Sequence, residues 1–192
     1  MGNRGVLHDD EGNVKRLWLV KRWLVCVLQF RGRKRTVMTP RRYTELFFLD
    51  EATALAAGHR PCAECRHDRF IDFCRAWKTA QRRPASSPRP TADEIDAVLH
   101  LERIARDKSK VRFAAPLDAL PDGVFVLLKE RGEQPFLVSG DNLLEWSPSG
   151  YSRSRSRPKK LTVEVLTPKT TVAAIRAGYT PEIHPSASIS RI

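Results

Sequence analysis

The chain has no apolar run long enough to span a bilayer. Asp9, Asp10 and Glu11 interrupt its first residues, so no secretory leader is expected. Together these absences predict a soluble, cytoplasmic protein. No internal repeat is present, which excludes a solenoid or propeller. Acidic residues are scarce, at 22 Asp plus Glu against 34 Lys plus Arg, and the net charge is +12. A protein this basic attracts polyanions, nucleic acid first among them. There are four cysteines, Cys26, Cys62, Cys65 and Cys74. In a cytoplasmic chain a Cys-x-x-Cys pair is more often metal-binding or redox-active than a structural disulfide.

The 192 residues suffice for one domain or two small ones, and 41% hydrophobic residues can fill a core. The positive charge is clustered. Residues 1–49 hold eleven Lys and Arg against four acids. Within them Arg31, Arg33, Lys34, Arg35, Arg41 and Arg42 are candidate phosphate contacts. A second cluster comprises Arg153, Arg155, Arg157, Lys159 and Lys160.

Leu17–Phe30 alternates as a strand does, with Leu24, Cys26, Leu28 and Phe30 on one face. Gly32 predicts a hairpin turn, Thr36–Thr39 a return strand and Tyr43–Leu49 a further short strand. Asp50 is a good N-cap, Glu51 suits the helix dipole and Ala52–Ala57 propagates a helix. Gly58 supplies the left-handed stop. A second helix is expected from near Cys62, with Phe70, Phe73, Cys74 and Trp77 on its apolar face. The Pro- and Ser-rich stretch Arg82–Pro90 predicts a linker. Thr91 then caps a helix expected to end near Lys108. Strands are predicted at Val124–Lys129, Phe136–Val138 and Leu161–Leu166, with a basic loop over Ser152–Lys160. Thr170–Ala177 predicts a helix closed by Gly178, and the tail from His184 a loose segment. The fold class expected is α+β with small antiparallel sheets.

Cys62 and Cys65 can hold one tetrahedral ion from a single turn, and zinc (Zn2+) is the expected metal. Cys74 lies nine residues beyond Cys65, about 13 Å along a continuous helix, and is expected to be a core thiol. Cys26 is the candidate third ligand; the alternative is an apolar strand residue between Leu24 and Leu28. His8 is the favoured fourth ligand, with His59, His67 or a water as alternatives. A thioredoxin-type dithiol is a further reading, but the expected parallel βαβ context is missing.

The segment Phe47-Phe-Leu-Asp-Glu-Ala-Thr-Ala-Leu-Ala-Ala-Gly-His-Arg-Pro-Cys-Ala-Glu-Cys65 resembles the Ada-type zinc-binding domain of the adaptive-response alkylation-repair regulator. The match runs over Leu46 to Arg66. It implies that Cys62 and Cys65 ligate zinc beside a basic DNA-contacting surface, and that residues 1–81 form an Ada-like domain, with a linker at 82–90 and a mixed α+β region at 91–192. The family carries an upstream Cys-x-x-x-Cys, one cysteine of which accepts a methyl group from DNA; here Cys26 stands alone. Neither a helix-turn-helix array nor a Pro-Cys-His-Arg motif is present.

Other candidate chemistry is an acid–base group of Asn3, Arg4, His8, Asp9 and Asp10, with Arg4 as a phosphate fork. Tyr151 and Trp146 beside the basic Arg153–Lys160 loop are candidates for stacking on single strands. The leading expectation is a zinc-containing protein that binds nucleic acid, DNA foremost. The alternatives are a metal-dependent enzyme on nucleic acid, either a phosphodiester hydrolase or a methyl acceptor, and a zinc-stapled protein-interaction module.

Overall fold

The computed structural model describes residues 1–34, 36–128 and 132–189. It is α+β. A three-stranded sheet in the order β1 (Gly2–Asn3), β2 (Leu24–Val25), β3 (Arg60–Pro61) lies in the N-terminal half. A six-stranded antiparallel sheet carries the C-terminal half, in the order β4 (Phe113–Pro116), β9 (Thr162–Val165), β5 (Phe125–Leu127), β6 (Pro135–Ser139), β7 (Asn142–Ser147), β8 (Gly150–Ser156). The helices are α1 (Glu51–Ala56), α2 (His67–Ala80), α3 (Ala92–Arg103), α4 (Lys169–Arg176) and α5 (Ser186–Ile189). No helix among the described residues is long and apolar enough to cross a membrane.

The apolar face of α2 behaves as its spacing predicts. Phe70, Phe73, Cys74 and Trp77 are buried and join Ile95 and Leu99 of α3, Val172 and Ile175 of α4, and Val126, Val138 and Val165 of the large sheet in one core. Residues 1–81 and 91–189 therefore share a core through α2, while residues 82–89 run between them on the surface and Pro90 is buried. Thr91 caps α3 with a full capping box, its hydroxyl accepting from Glu94 N–H at 3.2 Å and its own N–H donating to Glu94 at 2.6 Å. That helix ends at Arg103 rather than near Lys108, because Ile104 turns extended and bridges Lys110.

Several expected strands are replaced. Of Leu17–Phe30 only Leu24–Val25 is strand, and neither Thr36–Thr39 nor Tyr43–Leu49 forms one, apart from a bridge at Leu46. The N-terminal arm supplies the missing partner, with Asn3 opposite Leu24 in antiparallel register. Arg60–Pro61 pairs with β2 in parallel, so the small sheet is mixed. The Ser152–Lys160 segment is strand β8 for most of its length, not a loop, and it closes a β6–β7–β8 meander. Gly140, at φ +56°, makes the two-residue turn from β6 to β7. Lys129, the end of one predicted strand, lies outside the described residues.

Two polar links fix the N-terminal half to this frame. At the start of α1, Asp50 accepts from Thr53 N–H at 2.8 Å as an N-cap, and its other oxygen accepts from Tyr151 O–H at 2.6 Å and His184 N–H at 3.1 Å. Buried Glu51 accepts from Tyr179 O–H at 2.8 Å, from Glu182 N–H at 3.0 Å and from Arg69. The tail from His184 is thus tied to α1 and includes α5, rather than being loose. The second link is a buried fork. Arg60 donates from Nε and Nη2 to the two oxygens of Asp96 on α3, at 3.0 and 2.6 Å. Both side chains are almost wholly buried.

Removing one partner of such a fork leaves an unpaired buried charge. Asp96→Ala is expected to cost about 3–5 kcal/mol in urea unfolding. The double variant Arg60→Met/Asp96→Leu is expected to be more stable than that single variant; equal or larger loss in the double would show that the fork itself, not charge burial, dominates.

Candidate metal centre

The parallel pairing of β2 with β3 builds the site. Val25 lies opposite Pro61, and Cys62 N–H donates to Val25 O at 3.0 Å, so the next residues on the two strands, Cys26 and Cys62, come side by side. The chain then turns before α2, with Arg66 N–H on Cys62 O at 3.1 Å, and Cys65 swings back to the same point. The ligand atoms of Cys26, Cys62 and Cys65 all lie within 4.8 Å of one another. Bonds of about 2.3 Å to a tetrahedral ion set sulfurs about 3.8 Å apart, so this group can hold a metal ion.

The surroundings suit thiolate ligation. A hydrogen bond from the Cys26 thiol pulls the Cys62 pKa down to about 5, against the effect of burial, with help from the N–H groups of Cys65 and Glu64. The same bond, with burial, pushes Cys26 up, and burial pushes Cys65 up. Met1, Leu24 and Tyr43 pack against the group, in which Cys26 and Cys62 are buried and Cys65 is half-buried. The thiols are free, with no disulfide.

The other candidate ligands go elsewhere. His8 is buried, but its Nδ1 shares a hydrogen bond with Thr44 Oγ1 at 2.6 Å and its Nε2 faces Thr39 O at 3.3 Å. The same Thr44 hydroxyl accepts from Leu7 N–H at 2.8 Å, which turns the imidazole toward the Thr39–Thr44 segment and away from the sulfurs. His59 is enclosed between Trp23 and Phe48, and His67 Nδ1 lies 3.0 Å from Ala63 O. Among the described residues no fourth His, Cys, Asp or Glu joins the group. Cys74 is a fully buried core thiol, as its helical face predicts.

The predicted acid–base group does not assemble. Asp9 pairs with Lys15 at 3.0 Å, Asp10 with Arg41 at 3.7 Å, Asn3 folds onto Gly5 N–H, and Arg4 stacks on Trp23. Tyr151, buried on Asp50, is not placed to stack on a base. The basic residues of the first cluster are exposed: Arg31, Arg33, Lys34, Arg41 and Arg42 all lie on the turns between Cys26 and Thr44. Arg33 pairs loosely with Glu64 at 3.0 Å. Arg35 lies outside the described residues. In the second cluster Arg157 is structural, donating to Leu120 O at 2.8 Å and to Leu117 O.

Comparison with protein-family models, with curated proteins and with solved structures finds no match.

Cobalt(II) titration, read by thiolate charge-transfer absorption, is expected to fail in Cys26→Ser, Cys62→Ser and Cys65→Ser and to persist in His8→Ala and Cys74→Ser. Cys62 is already thiolate at neutral pH, whereas Cys26 and Cys65 must each release a proton to bind. Affinity therefore rises with pH, by about 100-fold from pH 6.5 to 7.5. A rise of about 1,000-fold would mean that all three sulfurs bind as former thiols.

Proposed function

We propose that Cys26, Cys62 and Cys65 hold a zinc ion and that the protein binds nucleic acid, DNA foremost, through the basic loop that this ion closes. One observation carries the reading. Residues 27–43 hold six cations and no acid, and both ends of the segment meet the cysteine group, through Cys26 at one end and Tyr43 at the other. The ion would join the start of the loop to the turn before α2, as a structural zinc does, with Tyr43 at the other end packed against the group. A thiolate donor set favours zinc over hard ions such as magnesium or calcium.

The chain's own residues then divide the work. Cys26 fixes the start of the loop, and Cys62 and Cys65 fix it against α2. Arg31, Arg33, Lys34, Arg35, Arg41 and Arg42 supply phosphate contacts. Phe30 sits under the guanidinium groups of Arg31 and Arg33, with the arginine carbons 5.0 and 5.3 Å from its ring centroid, which steadies both side chains. The resemblance of Leu46–Arg66 to the Ada-type zinc domain supports the same reading, since that domain sets a basic surface beside its Cys pair.

Anisotropy titration with a labelled duplex between 50 and 200 mM salt is expected to give a log–log slope of about −5 for six phosphate contacts. Arg31→Ala/Arg33→Ala/Lys34→Ala is expected to reduce the slope to about −3 and leave the metal content at one per chain. Stripping the metal with a chelator is expected to weaken binding. A flat salt dependence would overturn the nucleic-acid reading and leave a metal-stapled interaction module.

A further inference from the structure

Far from the cysteine group in composition, a cavity of about 370 Å³ opens between α1, the end of α3 and the large sheet. It shares no lining residue with the metal centre. Its volume falls within the range of small-molecule sites, about 300–1,000 Å³. Two kinds of surface meet there. Phe125, Leu127, Leu166 and the Trp146 indole form an apolar wall. Arg4, Arg103, Lys110 and Arg112 line the remainder as cations, and Glu133, paired with Arg112, is the carboxylate among the lining residues.

Arg103, Lys110 and Arg4 are unusual among these cations in what they lack. Arg103 is 1% exposed, yet its hydrogen bonds go only to carbonyls, Gly58 O at 2.8 Å and Lys21 O, and its Nε has no acceptor. Lys110 donates to Ala56 O at 2.7 Å. Arg4 reaches Leu17 O at 3.4 Å, and its Nε is also buried without an acceptor. None of the three makes an ion pair among the described residues. The nearby acids are each held by another arginine, Asp96 by Arg60, from where its charge still reaches Arg103, and Glu133, at the cavity rim, by Arg112 at 3.1 Å. The fold also draws the charges together. The guanidinium carbons of Arg4 and Arg103 lie 4.2 and 4.3 Å from the centroid of the same buried Trp23 ring. Burial lowers Arg103 to about 9, Arg4 to about 10 and Lys110 to about 8, which marks each charge as poorly compensated.

One buried and two half-buried cations with no ion-pair partner among the described residues are costly in a free-standing fold, and an anion in the cavity relieves that cost. A bare inorganic ion would satisfy the cations and leave the apolar wall wet. A flat apolar body carrying a phosphate satisfies both surfaces. We propose that this cavity binds a small planar aromatic phosphate of the nucleoside monophosphate class, with the phosphate on Arg4, Arg103 and Lys110 and the ring against Phe125 and Trp146. This site is independent of the loop proposed to contact nucleic acid.

The test uses the full chain and three probes, AMP, adenosine and inorganic phosphate, read by calorimetry and by tryptophan fluorescence, since Trp23 and Trp146 both line the cavity. AMP is expected to bind at least about tenfold more tightly than either other probe and to quench the fluorescence. Lys110→Met, which keeps the aliphatic stem, and Arg4→Met are each expected to weaken AMP about tenfold or more, while Arg33→Ala leaves it unchanged. AMP binding no tighter than phosphate, or equal in wild type and Lys110→Met, overturns the proposal. If the Arg4 or Lys110 variants fail to fold, the ranking of the three probes on the wild-type protein decides, because that ranking follows from the two-surface cavity alone.

Discussion

Everything on the N-terminal side hangs from two adjacent carboxylates, Asp50 and Glu51. α1 is only six residues long, too short to hold itself in water. What fixes it is the set of donors that converge on its first turn: the Tyr151 and Tyr179 hydroxyls, the N–H groups of Glu182 and His184, and Arg69 of α2. These donors come from β8, α2 and the C-terminal segment. The carboxylates therefore join the two halves of the chain at one point. Burial and the neighbouring charges raise both tyrosine hydroxyls far above their ordinary value, so they stay protonated and serve as donors at any working pH.

From that fixed helix the chain has little freedom. Gly58, at φ +84°, turns sharply, and a side chain there would meet Arg103 at 2.9 Å. His59 is fully buried, and Arg60 is locked on Asp96. The two-residue strand Arg60–Pro61 then has only one edge to pair with, that of Leu24–Val25, and pairing in parallel brings Cys62 beside Cys26. The cysteine group is thus a consequence of anchoring on both flanks. The Arg60–Asp96 fork stands on the side of α3, and the Asp50–Glu51 cluster on the side of the large sheet.

The positive charge of the protein is of two physical kinds. On the turns between Cys26 and Thr44 the arginines are solvated, weakly paired and close together, the form that suits contact with a polyanion. At the cavity beside Trp23, Arg103 is buried and Arg4 and Lys110 are half-buried, and their hydrogen bonds go to carbonyls, the form that suits a discrete anion. Composition counts both kinds alike, and only burial separates them.

Much of the local structure was legible in the chain itself. Asp50, Gly58, Thr91 and Gly178 mark helix boundaries by capping chemistry, which acts within four or five residues. The Phe70–Trp77 stripe, the strands expected at Phe136–Val138 and Leu161–Leu166 and found at Pro135–Ser139 and Thr162–Val165, the Cys62/Cys65 pair and the core place of Cys74 follow from spacing alone. Tertiary structure decided what depends on distant partners. The parallel strand at Arg60–Pro61 is too short to carry a period, and the pairing of Gly2–Asn3 with β2 spans more than twenty residues. His8 has the chemistry of a ligand, yet Thr44 holds it away from the sulfurs. The cavity cations bring Arg4 of the N-terminal arm to Arg103, at the end of α3, on the Trp23 ring, with Lys110 just beyond that helix. Capping and periodicity are short-range and written in neighbouring residues, whereas charge pairing and burial are settled by which distant segments the core brings together.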